Sequence, residues 1–163
     1  MKIETIVLDL SKEGAAKKLY ENVKEKGIVI DTLINYAGFG LYGIFIETDV
    51  DREAEMIDLN IKSLVILTKL YLNDMIAIDK GEILNVASIA AFQPGPLMSV
   101  YYASKSFVLS FSEAVRNEIR KTNDNISVLC PGPTATEFER SSSLEKSTLF
   151  TIIKEMTEEI VSL

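Results

Sequence analysis

Apolar and polar positions along the chain switch repeatedly between a period near two and a period near 3.6, and the switches divide it into alternating strands and helices. Residues 3–10 (IETIVLDL) form a β-branched apolar run that ends at Asp9 and predicts a strand, with Ser11 placed to cap the helix that follows. Over residues 14–25, Ala15, Ala16, Leu19, Tyr20 and Val23 recur at helical spacing, and Gly27 lies just past a Lys-rich last turn. Residues 28–36 read as a buried strand and residues 37–49 as a glycine-containing loop. A long helix is predicted over residues 51–78, where Met56, Ile57, Ile61, Leu64, Val65, Thr68, Tyr71, Leu72 and Met75 make one broad stripe. Gly81 ends it, and residues 82–87 (EILNVA) return to a strand before a loop at 88–96 containing Pro and Gly. A further helix is expected over 99–121 and a strand over 126–130, stopped by Pro131-Gly132-Pro133. Residues 134–147 are rich in Ser, Thr and Glu and read as a mobile loop, followed by a short amphipathic helix at 149–161.

Strands that are nearly continuous apolar runs, each followed by a helix, predict an α/β fold with a parallel sheet covered on both faces. Ligands in such folds bind at the carboxyl ends of the strands. Asp9, Gly38, Ser88 and Gly132 all fall at such ends. A length of 163 residues is enough for one domain. The formal net charge of -7 argues against nucleic acid or an anionic membrane surface as partner. Cys130 is the single cysteine, so no internal disulfide can form. The N-terminus lacks a signal-peptide pattern, and no apolar run reaches the ~20 residues that span a bilayer, so the expected location is cytoplasmic. Histidine is absent, which removes Ser-His-Asp and Cys-His nucleophile schemes together with histidine metal sites, and no metal is expected. Acid–base chemistry is then left to Tyr, Lys, Asp or Glu.

Tyr101 and Lys105 are four residues apart early in a predicted helix, so both side chains leave the same face. An ammonium beside a phenol favours the phenolate, which otherwise forms only near ~10; the same spacing also describes an ordinary surface pair. Ser88 closes the strand within Asn85-Val86-Ala87-Ser88, where its hydroxyl could hold a substrate oxygen or simply cap a turn. Asn60 lies on the apolar stripe between Met56 and Leu64, so its amide needs partners, either structural or through a held water. Gly38, Gly40 and Gly43 spell G-x-G-x-x-G, with Asp58 downstream. The dinucleotide fingerprint must open a helix directly, whereas Gly43 leads into IFIETDVD, so this reading is set aside.

Asn35-Tyr36-Ala37-Gly38, Asp58-Leu59-Asn60, Asn85-Val86-Ala87-Ser88, Tyr101-Tyr102-Ala103-Ser104-Lys105 and Pro131-Gly132, in this order, closely resemble the short-chain dehydrogenase/reductase family. The resemblance implies a partial Rossmann-like, doubly wound parallel sheet flanked by helices on both faces, and an oxidoreductase using NAD or NADP on a small carbonyl or alcohol substrate. It implies that Tyr101 is the general acid/base, that Lys105 lowers its pKa and holds the nicotinamide ribose, that Ser88 orients the substrate oxygen, and that Asn60 holds a relay water. It further implies that Asp9 contacts the adenine amine, that Asn35, Ala37 and Gly38 line the cofactor cleft, and that Pro131, Gly132 and Thr136 approach the nicotinamide. A homo-oligomer through the two long helices is expected. Tyr36 departs from the family, which usually has Asn there. The family's opening strand, its T-G-x-x-x-G-x-G phosphate loop and the next strand would precede Met1, and its last strand and helix would follow Val161. The expectation is therefore one incomplete domain over 1–163, with a weakened pyrophosphate cradle. In the order 3-2-1-4-5-6, residues 3–10 would either stand at an exposed edge or pair directly beside residues 33–35. Two alternatives accompany this reading: a non-catalytic remnant that binds a full-length relative, and a fragment of a sugar-nucleotide epimerase or dehydratase.

Overall fold

Parallel strands cannot be joined by tight turns, and here each is joined to the next by a helical crossover. The computed structural model describes residues 3–132. In chain order these form α1 (Ala15–Glu25), β1 (Thr32–Asn35), α2 (Val50–Ile57), a π-helical stretch (Asp58–Ser63), α3 (Leu64–Ile78), β2 (Glu82–Val86), a 3-10 turn (Ile89–Phe92), α4 (Ser99–Glu118) and β3 (Asn125–Leu129). The three strands make one parallel sheet in the order β1-β2-β3, with Leu33 opposite Ile83 and Ile83 opposite Ile126. This is the expected Rossmann-like α/β architecture. The residues beyond Gly132 on which a loop, a helix and Thr136 were placed lie outside the described residues.

Local chemistry sets the element ends. Asp49 caps α2 by accepting the N–H groups of Asp51 and Arg52 at 2.9 and 3.0 Å, while Asp51 and Glu53 place negative charge in the first turn. At the far end of α3, Asp79 takes a left-handed conformation (φ 55°). Gly81 then passes so close to α3 that a Cβ there would sit 2.3 Å from the Met75 Cβ. The main core packs Ala16 of α1, Leu67, Tyr71, Leu72 and Met75 of α3, Ile83, Ile119 and Ile126 together. Beneath it runs a polar chain: Asn35 Nδ2 donates to Thr68 Oγ1 (3.1 Å) and Asn85 Oδ1 (2.8 Å), and Asn85 Nδ2 donates to Ser112 Oγ (3.0 Å). It ties β1 to β2 and both strands to α3 and α4.

Several sequence expectations are corrected. Residues 3–9 are not a strand; they run to a turn without joining the sheet, and among the described residues β1 pairs only with β2, which excludes the direct pairing of 3–9 with residues 33–35. A β-branched pattern makes a strand only where a neighbour supplies the other half of the ladder, and Val7 is 91% exposed. The segment is anchored at its end, where Ser63 Oγ donates to the Leu10 carbonyl at 2.5 Å. Ser11 does not cap α1. Its N–H and hydroxyl both donate to Asp9 Oδ1, at 3.0 and 2.7 Å, and the helix starts after Gly14, which takes φ 75°. The strand expected over 28–36 is confined to Thr32–Asn35 and is half-exposed rather than buried, because its outer edge has no partner among the described residues. The helix expected over 51–78 is continuous in direction but widens into the π-helical stretch at Asp58–Ser63.

Candidate functional site

The site assembles where β1 and β2 end and α4 begins. Ser88 leaves β2 in extended conformation, and its Oγ accepts the Ala90 N–H at 3.1 Å, which starts the 3-10 turn. That turn and the loop through Gly95 fold back onto α4. Ser106 Oγ donates to the Ala91 carbonyl at 2.9 Å, and Gly95 lies against the Tyr102 ring so closely that a Cβ would come within 2.3 Å of it. Tyr101 is thereby enclosed by Met56, Ala90 and Met98, with Phe39, Leu41 and Tyr42 around them. Tyr102 meets its ring edge-on at 6.0 Å.

Tyr101 and Lys105 do share a face of α4, and both are buried. Lys105 Nζ lies 5.8 Å from the centroid of the Tyr101 ring and donates to the Val86 carbonyl at 3.0 Å. Burial pushes the Tyr101 phenol above its ordinary value; a hydrogen bond with the Ser88 side chain works the other way without overcoming it. Burial also lowers the Lys105 ammonium to about 8, opposed by the Cys130 thiol. No ion pair of Lys105 with an acid occurs among the described residues.

Asn60 is buried in the π-helical stretch, a geometry that recurs at functional sites because it re-aims one turn of a helix. Its Oδ1 accepts the Phe39 N–H at 3.1 Å, and its Nδ2 donates to the Phe39 carbonyl at 2.9 Å and to Ser104 Oγ at 3.1 Å. The side chain is a clamp on the loop after β1, with every amide hydrogen and its oxygen engaged. Gly38 sits inside that clamp: a Cβ there would lie 2.9 Å from Asn60 Oδ1 and 3.6 Å from Lys105 Nζ. Gly38, Asn60, Ser88, Tyr101 and Lys105 are thus brought to one place. Asn35 is held below it by Thr68 and Asn85. Asp9 stands apart in an exposed turn, its carboxyl held below the usual range first by the Ser11 hydroxyl and N–H. A Cβ on Gly132 would meet nothing within 4 Å, and Gly43 opens no helix, donating instead to the Leu97 carbonyl at 2.8 Å.

Sequence reasoning missed Ser104. Its hydroxyl donates to the Tyr101 carbonyl at 2.7 Å and accepts from Asn60, joining the helix that bears Tyr101 to the one that bears Asn60. Its position three residues after Tyr101, on the Lys105 side of the helix, was the available signal. The carbonyls of Phe39 and Val86 leave no trace in a side-chain motif.

Residues 1–147 match the family described as short chain dehydrogenase, and the chain belongs to it. It is 34% identical over 130 residues to an uncharacterized oxidoreductase of Staphylococcus saprophyticus, covering 80% of this chain and 56% of the relative. It is 36% identical over 138 residues to 17-beta-hydroxysteroid dehydrogenase type 3 of Homo sapiens, covering 82% of this chain and 43% of that one. Among solved structures, serine dehydrogenase complexed with NADP+ superposes with a TM-score of 0.76 at 30% identity, covering 85% of this chain and 57% of that chain. A 4-hydroxyisoleucine dehydrogenase mutant complexed with NADH and succinate gives a TM-score of 0.81 at 25% identity, covering 91% and 61%. The chain spans about half the length of the curated relatives it matches. Among the described residues no helix is long and apolar enough to cross a membrane, and no group of His, Cys, Asp or Glu could hold a metal ion.

Proposed function

We propose that this chain carries the proton-transfer centre of a nicotinamide-dependent oxidoreductase acting on a carbonyl/alcohol pair, and that near neutral pH it serves carbonyl reduction. The observation that carries the reading is the buried Tyr101 hydroxyl, hydrogen-bonded with Ser88 and one helical turn from the Lys105 ammonium. A phenol held protonated by burial is a proton donor. In reduction Tyr101 passes its proton to the carbonyl oxygen, and the Ser88 hydroxyl holds that oxygen against it. The reverse reaction needs the phenolate and is correspondingly favoured at high pH.

The residues fit a nicotinamide nucleotide. Lys105 has three N–H groups and one carbonyl partner, so two remain for the hydroxyls of a ribose. Gly38 lets the loop after β1 pass close to Asn60 and Lys105, where a Cβ would strike the Asn60 amide. Lys105, Tyr101, Ala37 and Gly38 would hold the nicotinamide end beside Pro131 and Gly132, with Asn35 supporting the loop from below and Asp9 toward the adenine. When bound, NAD or NADP supplies the hydride. Asn60 keeps the Phe39 backbone, and with it Gly38, in place, and through Ser104 it fixes the first turns of α4.

The test is titration of the purified chain with NADH and with NADPH, following nicotinamide fluorescence, and then carbonyl-dependent oxidation of whichever binds. Saturable binding and turnover are expected. Tyr101→Phe should lower turnover by about 10²-fold or more with binding and Tm little changed; near-normal turnover in this variant would sink the reading.

A further inference from the structure

Resting on the reading of Tyr101 as proton donor, we propose that the substrate is an uncharged, predominantly apolar ketone or secondary alcohol, seated on an apolar mouth where Phe92 and Leu97 set the preference. The loops that follow strands in a parallel sheet carry the ligand contacts, and loops are ordinarily polar. Here they are not. The chain has 17 basic and 24 acidic residues, yet none falls between Asp31 and Glu47, none between Glu82 and Lys105, and none from Asn125 to Gly132. The first two of these stretches contain the loops after β1 and β2. Buried strands explain apolar residues inside the sheet; they do not explain the loops, where Ile44, Phe45, Ile46, Ile89, Phe92 and Leu97 are all exposed, Phe92 by 66%.

The charged side chains nearest the mouth are turned to partners within the protein. Arg52 lies over the Phe39 ring, 4.5 Å from its centroid, and is paired with Glu55 at 2.5 Å, which also takes Lys12 at 2.8 Å. Glu53 receives the Thr48 hydroxyl at 3.0 Å. Lys105 is turned to the Val86 carbonyl beside Gly38. On the described loops after β1 and β2 an anionic substrate would meet no basic side chain, whereas a hydrocarbon body would cover apolar surface now in water.

The rim is also held rigidly. The Gly43 N–H donates to the Leu97 carbonyl at 2.8 Å, which ties the loop after β1 to the loop after β2, and the Met98 N–H donates to the Gly95 carbonyl at 3.1 Å. Between these bonds Leu97 is forced to φ 67°, a conformation that favours glycine. A leucine there is strained and still 40% exposed, so its own burial returns little. Strain of this kind persists where the surroundings impose it, and it collects at ligand sites.

The experiment compares kcat/KM for 2-octanone and for 2-oxooctanoate, equal in chain length and differing in a carboxylate, together with saturation-transfer NMR of each ketone on the chain. A preference for 2-octanone of about tenfold or more is expected in both readouts. Phe92→Lys should reduce that preference by about tenfold, and Leu97→Gly should weaken 2-octanone while keeping or raising Tm, since glycine adopts the same backbone freely. Equal or better use of 2-oxooctanoate would overturn the apolar-substrate inference and leave Tyr101 in its role. Absence of turnover with both ketones would count against the proton-transfer reading, and the NMR comparison would then decide the mouth by itself.

Discussion

Lys105 carries its charge freely in water, and in the folded chain it is buried with one carbonyl for company, so its pKa falls from 10.5 to about 8. The sign of the consequence follows from proton binding. Between about pH 8 and 10.5 the unfolded chain holds the proton more tightly than the folded one, so stability rises with pH across that window. Below it, the protonated lysine costs the fold about 3 kcal/mol. Tyr101 acts oppositely and later: its folded pKa is raised, so its contribution is lost as pH climbs above the ordinary phenol value. Denaturant unfolding at pH 7 and 9.5 should show wild type gaining stability between the two, and Lys105→Met losing most of that gain. Equal slopes would remove the buried ammonium. The Tyr101/Lys105 spacing was legible in the sequence because a helix turns i onto i+4. The direction of the Tyr101 shift was not, because desolvation depends on Met56, Ala90 and Met98 closing around the ring from three other segments.

At the scale of elements, the stripe from Met56 to Met75 was readable as one long helix, and the structure buries Met56, Leu64, Thr68, Tyr71, Leu72 and Met75 along it. The widening at Asp58–Ser63 could not be read, because a single wide turn leaves the apolar pattern almost in phase. Its purpose becomes visible only with Phe39 in place, which lies 21 residues away in sequence. Asn60→Ala should cost roughly 2–4 kcal/mol, since it leaves the Phe39 N–H and carbonyl without their partner. Faster amide exchange at Phe39 and weaker nicotinamide binding should accompany the loss; unchanged exchange would mean the loop holds itself. The strand at 3–9 was misread for the opposite reason. Its pattern is right for a strand, and pattern alone does not supply a neighbour.

For the whole molecule, the described sheet presents its helices on the face that carries Leu33, Ile83 and Ile126. The alternate positions Ile34 and Leu129 are 59% and 50% exposed, and Val29 and Tyr36 are exposed beside the edge of β1 that has no partner among the described residues. An edge of this kind is a template for pairing with another chain, countered here chiefly by the net charge of -7. Ile34→Lys should reduce self-association in sedimentation velocity with little change in Tm. A large fall in Tm would show that Ile34 is covered in the folded protein. The order of the strands also has a temporal meaning. Thr32 meets Glu82 and Glu82 meets Asn125, so each pairing closes a loop of about 45 residues, whose length-dependent entropy is about 3 kcal/mol. Because strand order equals chain order, a ribosome delivers each strand after its neighbour has already emerged, and the sheet can grow by accretion at one edge. Refolding from denaturant has no such schedule: both long closures compete, and the chain should refold in milliseconds to seconds, a phase that tyrosine fluorescence can follow in a protein without tryptophan.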